Sequence, residues 1–268
     1  MNDKHGSSLF IGHGSPMNTF EVNQFTTAWR EISASLPTPR AIVAVSAHWY
    51  IDRTAVTAMS HPRTIHDFRG FPDKLSRFDY PAAGDVSLAN DIVSLLSSFD
   101  ATADTHDWGL DHGTWSVLAH LYPRADVPVV QLSIDARASF ATHMQIGACL
   151  APLVDEDVMV LGSGNVVHNL GLIDWSMVDS GFEWAEQFDG EVRQIVTTQP
   201  ANLASIQQHR LFRTVAPTPE HFIPLLYVAG LAEASGRKLS TFAEGYTFGS
   251  LSMTSYAMGD WRSLPQSR

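Results

Sequence analysis

At 268 residues, with 44% apolar and 17% charged side chains, the chain has a globular composition and the length of one α/β domain or two small ones, which excludes a disordered or fibrous polymer. Its 28 acidic against 17 basic residues leave a net charge of -11, a field that repels nucleic-acid backbones and anionic lipid and points to a small-molecule partner. One cysteine, Cys149, rules out an internal disulfide and a multi-cysteine metal cluster, so any metal falls to His, Asp or Glu, and the chain has 12 histidines.

In chain order, short apolar and β-branched runs predict strands at Leu9 to Ile11, Ala41 to Ala47, Ala55 to Met59, Val127 to Ile134 and Val158 to Leu161. Their continuity suits strands buried on both faces. Between them, helical spacing runs through Phe25, Trp29, Ile32 and Leu36, then Leu88, Ile92, Leu95, Leu96 and Phe99, then Trp115, Leu118 and Leu121. The connection from Ser60 to Gly84 is long, aromatic and without a clear element, the kind of loop that lines sites. From Lys238 to Met258 the pattern changes to two closing strands that finish or flank the same sheet. With no repeat, low-complexity tract or dividing linker, the expectation is a single α/β domain over residues 1–268, a central, mostly parallel or mixed sheet with helices on both faces. The opening MNDKHGSSLFIGHG has no apolar stretch of signal-peptide length and nothing later approaches the roughly 20 apolar residues of a membrane span, so the expected compartment is the cytoplasm. No coiled-coil seam marks an oligomer; a monomer is compatible and the state stays open.

Three histidines follow predicted strands: His13 in LFIGHGSP, His48 in VAVSAHW and His168 in VLGSGNVVH. Ligands of open parallel sheets bind outside the carboxyl ends of the strands, so these side chains are expected to converge. A lone histidine near a strand end is usually a hydrogen-bonded, half-buried residue; three flanked by small residues favour a ligand set. A fourth, His221, stands in APTPEHFIPLL, where Thr218 caps an expected helix, Pro219 fits its first turn and Glu220 suits its dipole, although Glu220 is also an alternative oxygen ligand. In WGLDHGTW a helix is expected to begin near Thr114, with Asp111 as its cap or with His112 facing substrate. In the long loop, His66, Phe68 and Phe71 form either a pocket wall for a planar ligand or surface packing. The run GSGNVV lacks the third glycine of a dinucleotide loop, and no GxSxG or GxxxxGK[ST] motif occurs.

Taken together, GHGSPMN, VAVSAHW, TIHDFRGFP, WGLDHGTW, VPVVQLSID, GSGNVVHNL, PTPEHFIPLLYV and EGYTFGSLSM resemble the extradiol aromatic ring-opening dioxygenases of DOPA 4,5-dioxygenase type, in the same order and over nearly the whole chain. The resemblance implies an α/β domain related to the metal-carrying subunit of protocatechuate 4,5-dioxygenases. It implies metal ligands at His13, His48 and His221, an acid/base or additional ligand role for His168, and a substrate contact at His112. The protocatechuate branch uses a glutamate as third ligand; Glu220 and His221 are adjacent here, and an all-nitrogen site suits zinc as well as iron.

The expected chemistry is O2-dependent ring cleavage of a DOPA-like catechol beside its two hydroxyls, giving a muconic semialdehyde-type product on one divalent ion, Fe(II) for oxygenase activity with Zn(II) as the other candidate. His168, expected to titrate near neutrality, removes a catechol proton and later returns it, while His112 orients substrate. Two rivals are a zinc-dependent hydrolase on the same histidines and a non-catalytic binder of an aromatic ligand.

Overall fold

Consecutive residues of the inner strands go to opposite cores. In the computed structural model, which describes residues 7–259, Leu9 and Ile11 belong to one apolar cluster and Phe10 to the other, and Ile42 and Ala44 separate from Val43 and Val45 in the same way. Met159 and Leu161 likewise part from Val160. This is the two-residue period of a sheet covered on both faces, and it explains why these strands carry uninterrupted apolar runs.

The strands are β1 (Ser8–Gly12), β2 (Ala41–Ile51), β3 (Ala55–Thr57), β4 (Thr102–Asp104), β5 (Val129–Asp135), β6 (Val158–Gly164), β7 (Leu239–Ala243), β8 (Tyr246–Thr247), β9 (Leu251–Ser252) and β10 (Ser255–Met258). Eight of them form one mixed sheet in the order β4-β3-β5-β2-β6-β1-β10-β7, and β8 and β9 form a separate small hairpin. β2, β6 and β1 are neighbours and parallel, so their carboxyl ends lie side by side. The two closing strands expected near the C-terminus are β7 and β10, paired antiparallel along one side of the same sheet.

The helices are α1 (Gln24–Ser35), α2 (Asp73–Ser76), α3 (Val86–Leu95), α4 (His112–Leu121), α5 (Phe140–Cys149), α6 (Ala151–Asp155), α7 (Glu183–Thr198), α8 (Phe212–Val215) and α9 (Ile223–Ala234). α1 and α4 pack on one face through Phe25, Trp29, Trp115 and Leu118. α3, α5, α7 and α9 cover the other, with Ile92, Phe140, Phe188 and Leu226 in its core. The chain therefore folds as one α/β domain around a mixed sheet, as expected. Residues 1–6 and 260–268 of the expected domain lie outside the described residues. No helix among the described residues is long and apolar enough to cross a membrane.

Four local expectations change. β2 runs on to Ile51, so His48 sits within a strand and not just past one; the pairing with β5 breaks between Val45 and Tyr50, and that irregularity carries His48. The long loop holds one helical turn, Asp73–Ser76. α4 begins two residues before Thr114, at His112, with the Asp111 side chain accepting from the Thr114 amide as its cap. The last long helix begins at Ile223 and not after Thr218, whose hydroxyl donates to the Glu220 carboxylate instead of capping the backbone.

Candidate metal centre

The order β2-β6-β1 brings three chain segments to one edge. His13 follows β1 directly and is tied to the end of β6 by its amide, which donates to the Gly164 carbonyl at 2.9 Å. Its carbonyl accepts from Asn18 Nδ2 at 2.9 Å, and the Asn18 carbonyl in turn accepts from His120 Nε2 at 2.6 Å, so the backbone here is braced from α4. His48 comes from β2, His221 from the turn before α9, and His112 from the first turn of α4. Gly113 lets α4 approach: a β-carbon there would meet the Ser46 hydroxyl and the His48 ring.

His13, His48 and His221 form a nearly equilateral set, with ring centroids 5.2, 5.3 and 5.1 Å apart. With metal–nitrogen bonds of about 2.0–2.1 Å along each ring axis, three tetrahedrally disposed imidazoles have centroids about 5.2 Å apart. The Nε2 atoms of His13 and His48 are 3.5 Å apart, against about 3.3 Å for two nitrogens sharing a tetrahedral ion.

The hydrogen bonds of the other ring nitrogens fix which atoms face inward. Ser163 Oγ gives its hydrogen to the Gly113 carbonyl at 2.6 Å, so toward His13 Nδ1, 2.9 Å away, it acts as acceptor. His48 Nδ1 donates to Asp67 Oδ2 at 3.1 Å and His221 Nδ1 to Glu220 Oε1 at 3.1 Å, since carboxylates only accept. In their neutral forms His13 and His48 then face one another through bare Nε2 lone pairs, and His221 keeps its Nε2 clear of the Glu220 bond, the arrangement by which outer groups orient metal-binding histidines. Facing lone pairs at 3.5 Å repel, and a cation between them removes the repulsion. The residues fit a divalent ion with nitrogen ligands.

His112 is also close: one ring nitrogen each of His13, His48 and His112 lies within 4.8 Å of the others. Its ring is 3.8 Å from His48 but 6.0 Å from His13, an uneven spacing that suits a neighbour of the centre better than a vertex of it. Asp67 joins the two: Oδ1 accepts from His112 Nδ1 at 2.8 Å and from the His112 amide at 3.1 Å, while Oδ2 holds His48. His168 lies flat on His221, centroids 3.5 Å apart and planes within 4°. In that stack the two rings overlap face to face, which sets His168 apart from the evenly spaced trio of His13, His48 and His221.

Burial disfavours imidazolium here. It pushes His13 and His221 well below the usual histidine value, with the neighbouring rings adding to the effect. His112 is lowered by burial and by His48, against the pull of Asp67. For His48 burial also acts downward, but Asp67 and the nearby carboxylates outweigh it and the net shift is upward. His168 is pushed down to about 4 by burial and by His48 and His112, so the expected poise near neutrality gives way to a ring that is neutral at pH 7.

All five histidines line one cavity of about 560 Å³, with Phe68 and Phe71 among its walls. His66 does not line it; its Nε2 sits 2.8 Å from the Phe78 carbonyl on the surface of the loop. Glu220 does not line it either, its carboxylate being engaged by His221 and Thr218. Sequence reasoning missed Asp67 and Ser163. Asp67 adjoins His66 in the loop, and Ser163 stands in the small-residue run GSGN, which leads to His168 and lacks the third glycine of a nucleotide loop.

Residues 4–259 match the family described as the catalytic LigB subunit of aromatic ring-opening dioxygenase. The chain is 44% identical to a 4,5-DOPA dioxygenase extradiol of Escherichia coli K12, covering 97% of each chain, and 36% identical to one of Beta vulgaris, covering 95% of this chain and 97% of that one. A crystal structure of an uncharacterized Escherichia coli K12 protein superposes with a TM-score of 0.83 at 42% identity, over 95% of this chain and 100% of the other. Sequence, fold and the histidine-lined cavity agree: the chain belongs to the family of catalytic LigB subunits of aromatic ring-opening dioxygenases.

Proposed function

We propose that the protein cleaves the ring of a DOPA-like catechol in extradiol fashion, using O2 and one divalent ion, with residues 1–268 as a single catalytic domain. The observation that carries this reading is the trio His13, His48 and His221, evenly spaced at 5.1–5.3 Å with bare nitrogens turned into an aromatic-walled cavity. The names of the relatives from Escherichia coli and Beta vulgaris support the extradiol reaction and DOPA as the model for the substrate.

In this reading His13, His48 and His221 hold the ion. When bound, it supplies Lewis acidity and, as Fe(II), electron exchange between catechol and dioxygen; Zn(II) suits the same nitrogens but lacks redox chemistry. Ser163, Asp67 and Glu220 keep the ligand nitrogens deprotonated and aimed inward. Phe68 and Phe71 wall the cavity in which the catechol ring lies. His168, neutral and stacked on His221, accepts a proton from a catechol hydroxyl and returns it to the oxygenated substrate. His112, held by Asp67, contacts the substrate oxygens.

The test is metal analysis of protein purified without added metal, followed by oxygen-electrode assays with several catechols after anaerobic Fe(II) loading. Stoichiometric O2 uptake with formation of a coloured semialdehyde product is expected. Ester or amide hydrolysis by the zinc form with no O2 uptake by the iron form would replace this reading with a hydrolase.

A further inference from the structure

Apart from its histidines, the cavity that receives the catechol is lined by charged side chains of one sign only. Its lining includes two carboxylates, Glu21 and Asp179, and neither lysine nor arginine. Both carboxylates are exposed on the rim, and neither takes part in a salt bridge among the described residues. Arg69 belongs to the loop that supplies Phe68 and Phe71 but does not line the cavity.

The neutral donors of the wall are mostly committed elsewhere. Asn18 Nδ2 donates to the His13 carbonyl, and Asn23 Nδ2 donates to Asn18 Oδ1 at 2.9 Å. The Ser15 and Thr247 hydroxyls remain, beside the His112 and His168 rings, which the ring-cleavage reading gives to the catechol oxygens. A carboxylate on the side chain of a bound catechol would give up water for a site with no lysine or arginine, where a bound ion would serve the catechol oxygens. A protonated amine on the same chain meets two carboxylates, within an overall charge of -11 that attracts it from solution.

We infer that the cavity selects catechols by the charge of their side chain, taking those that carry a protonated amine and having no need of a carboxylate. The inference rests on the ring-cleavage reading and deepens it. DOPA, named for the relatives, carries both groups, and the amine is the one recognised here.

Three probes of nearly one shape separate the charges: dopamine, dihydrocaffeate and 4-ethylcatechol. Their dissociation constants are measured by calorimetry on the Zn(II)-loaded protein, which binds without oxidising, and kcat/KM is measured after Fe(II) loading. Dopamine is expected to bind about tenfold or more tighter than dihydrocaffeate and to show a kcat/KM about tenfold or more higher, with 4-ethylcatechol between them in both. Glu21→Gln and Asp179→Asn are each expected to shrink the ratio of dopamine to 4-ethylcatechol by about threefold, the scale of an exposed ion pair. Dihydrocaffeate binding and reacting as well as dopamine overturns the inference while leaving ring cleavage intact, as does a dopamine preference that survives both substitutions. Binding in the predicted order with no O2 uptake for any probe supports the recognition and sinks the ring-cleavage reading instead.

Discussion

Ser163 Oγ stands 2.9 Å from His13 Nδ1 and passes its own hydrogen to the Gly113 carbonyl at 2.6 Å. One hydroxyl thereby fixes the tautomer of a candidate ligand and links β6 to the start of α4. Ser163→Ala removes that acceptor from a fully buried position with little change of volume. Metal affinity, measured by competition with a chromophoric chelator, should fall about 10- to 100-fold, the usual cost of deleting an outer partner of a ligating histidine. Unaltered affinity would remove Ser163 from the account.

Asp67 serves His48 and His112 through its two oxygens, and these bonds hold its carboxyl well below the usual carboxylate range despite the partial burial of its side chain. In Asp67→Asn one oxygen acceptor is replaced by a donor, so one of the two rings loses its partner. We expect metal affinity to drop about 10- to 100-fold and, in protein saturated with metal, KM for catechol to rise because His112 loses its orientation. Equilibrium metal titration alongside steady-state kinetics distinguishes the two effects.

His168 stacks on His221, and the proposed reading gives it proton transfer and leaves ligation to His221. His168→Ala should keep its metal and lose turnover by about 10²-fold or more. Single-turnover O2 uptake beside metal content reads both. Loss of metal would make His168 a ligand, and retained turnover would end its acid/base role.

A separate pH dependence concerns stability. His143, on α5, is fully buried against α9, with Nδ1 3.1 Å from the Tyr227 hydroxyl and no partner on Nε2, and burial lowers it to about 4. Its folded value lies below the unfolded 6.5, so the unfolded chain binds the proton first as pH falls. The contribution is therefore complete above about pH 6.5 and declines toward pH 4, by at most about 3 kcal/mol. Denaturant unfolding at about pH 7 and about pH 5 should show a smaller loss for His143→Leu than for the parent chain. Equal losses would show that His143 does not carry the effect.

The pattern of success follows from how local each feature is. Strands β1, β2, β3, β5 and β6 were legible because burial on both faces leaves apolar runs such as IVAV and VMVL, and the convergence of His13 and His48 followed from the parallel run of β1, β6 and β2. The extension of β2 through His48 was not legible, because it depends on a break in pairing with β5 that no residue of VSAHWYI announces. Thr218 reads as a cap by type, yet its hydroxyl goes to Glu220, and the helix starts four residues after Pro219 with Pro224 in its first turn. Asp67 lies in an irregular loop 45 residues from His112, so its role arises only from tertiary contact.

The central claim is that His13 and His48 share one ion. Metal content after exhaustive dialysis, determined by atomic emission for the parent chain, His13→Ala and His48→Ala, tests it most directly. The account predicts about one equivalent in the parent and a near-complete loss in each variant, with folding preserved by circular dichroism. Parent-level metal in either folded variant would contradict it.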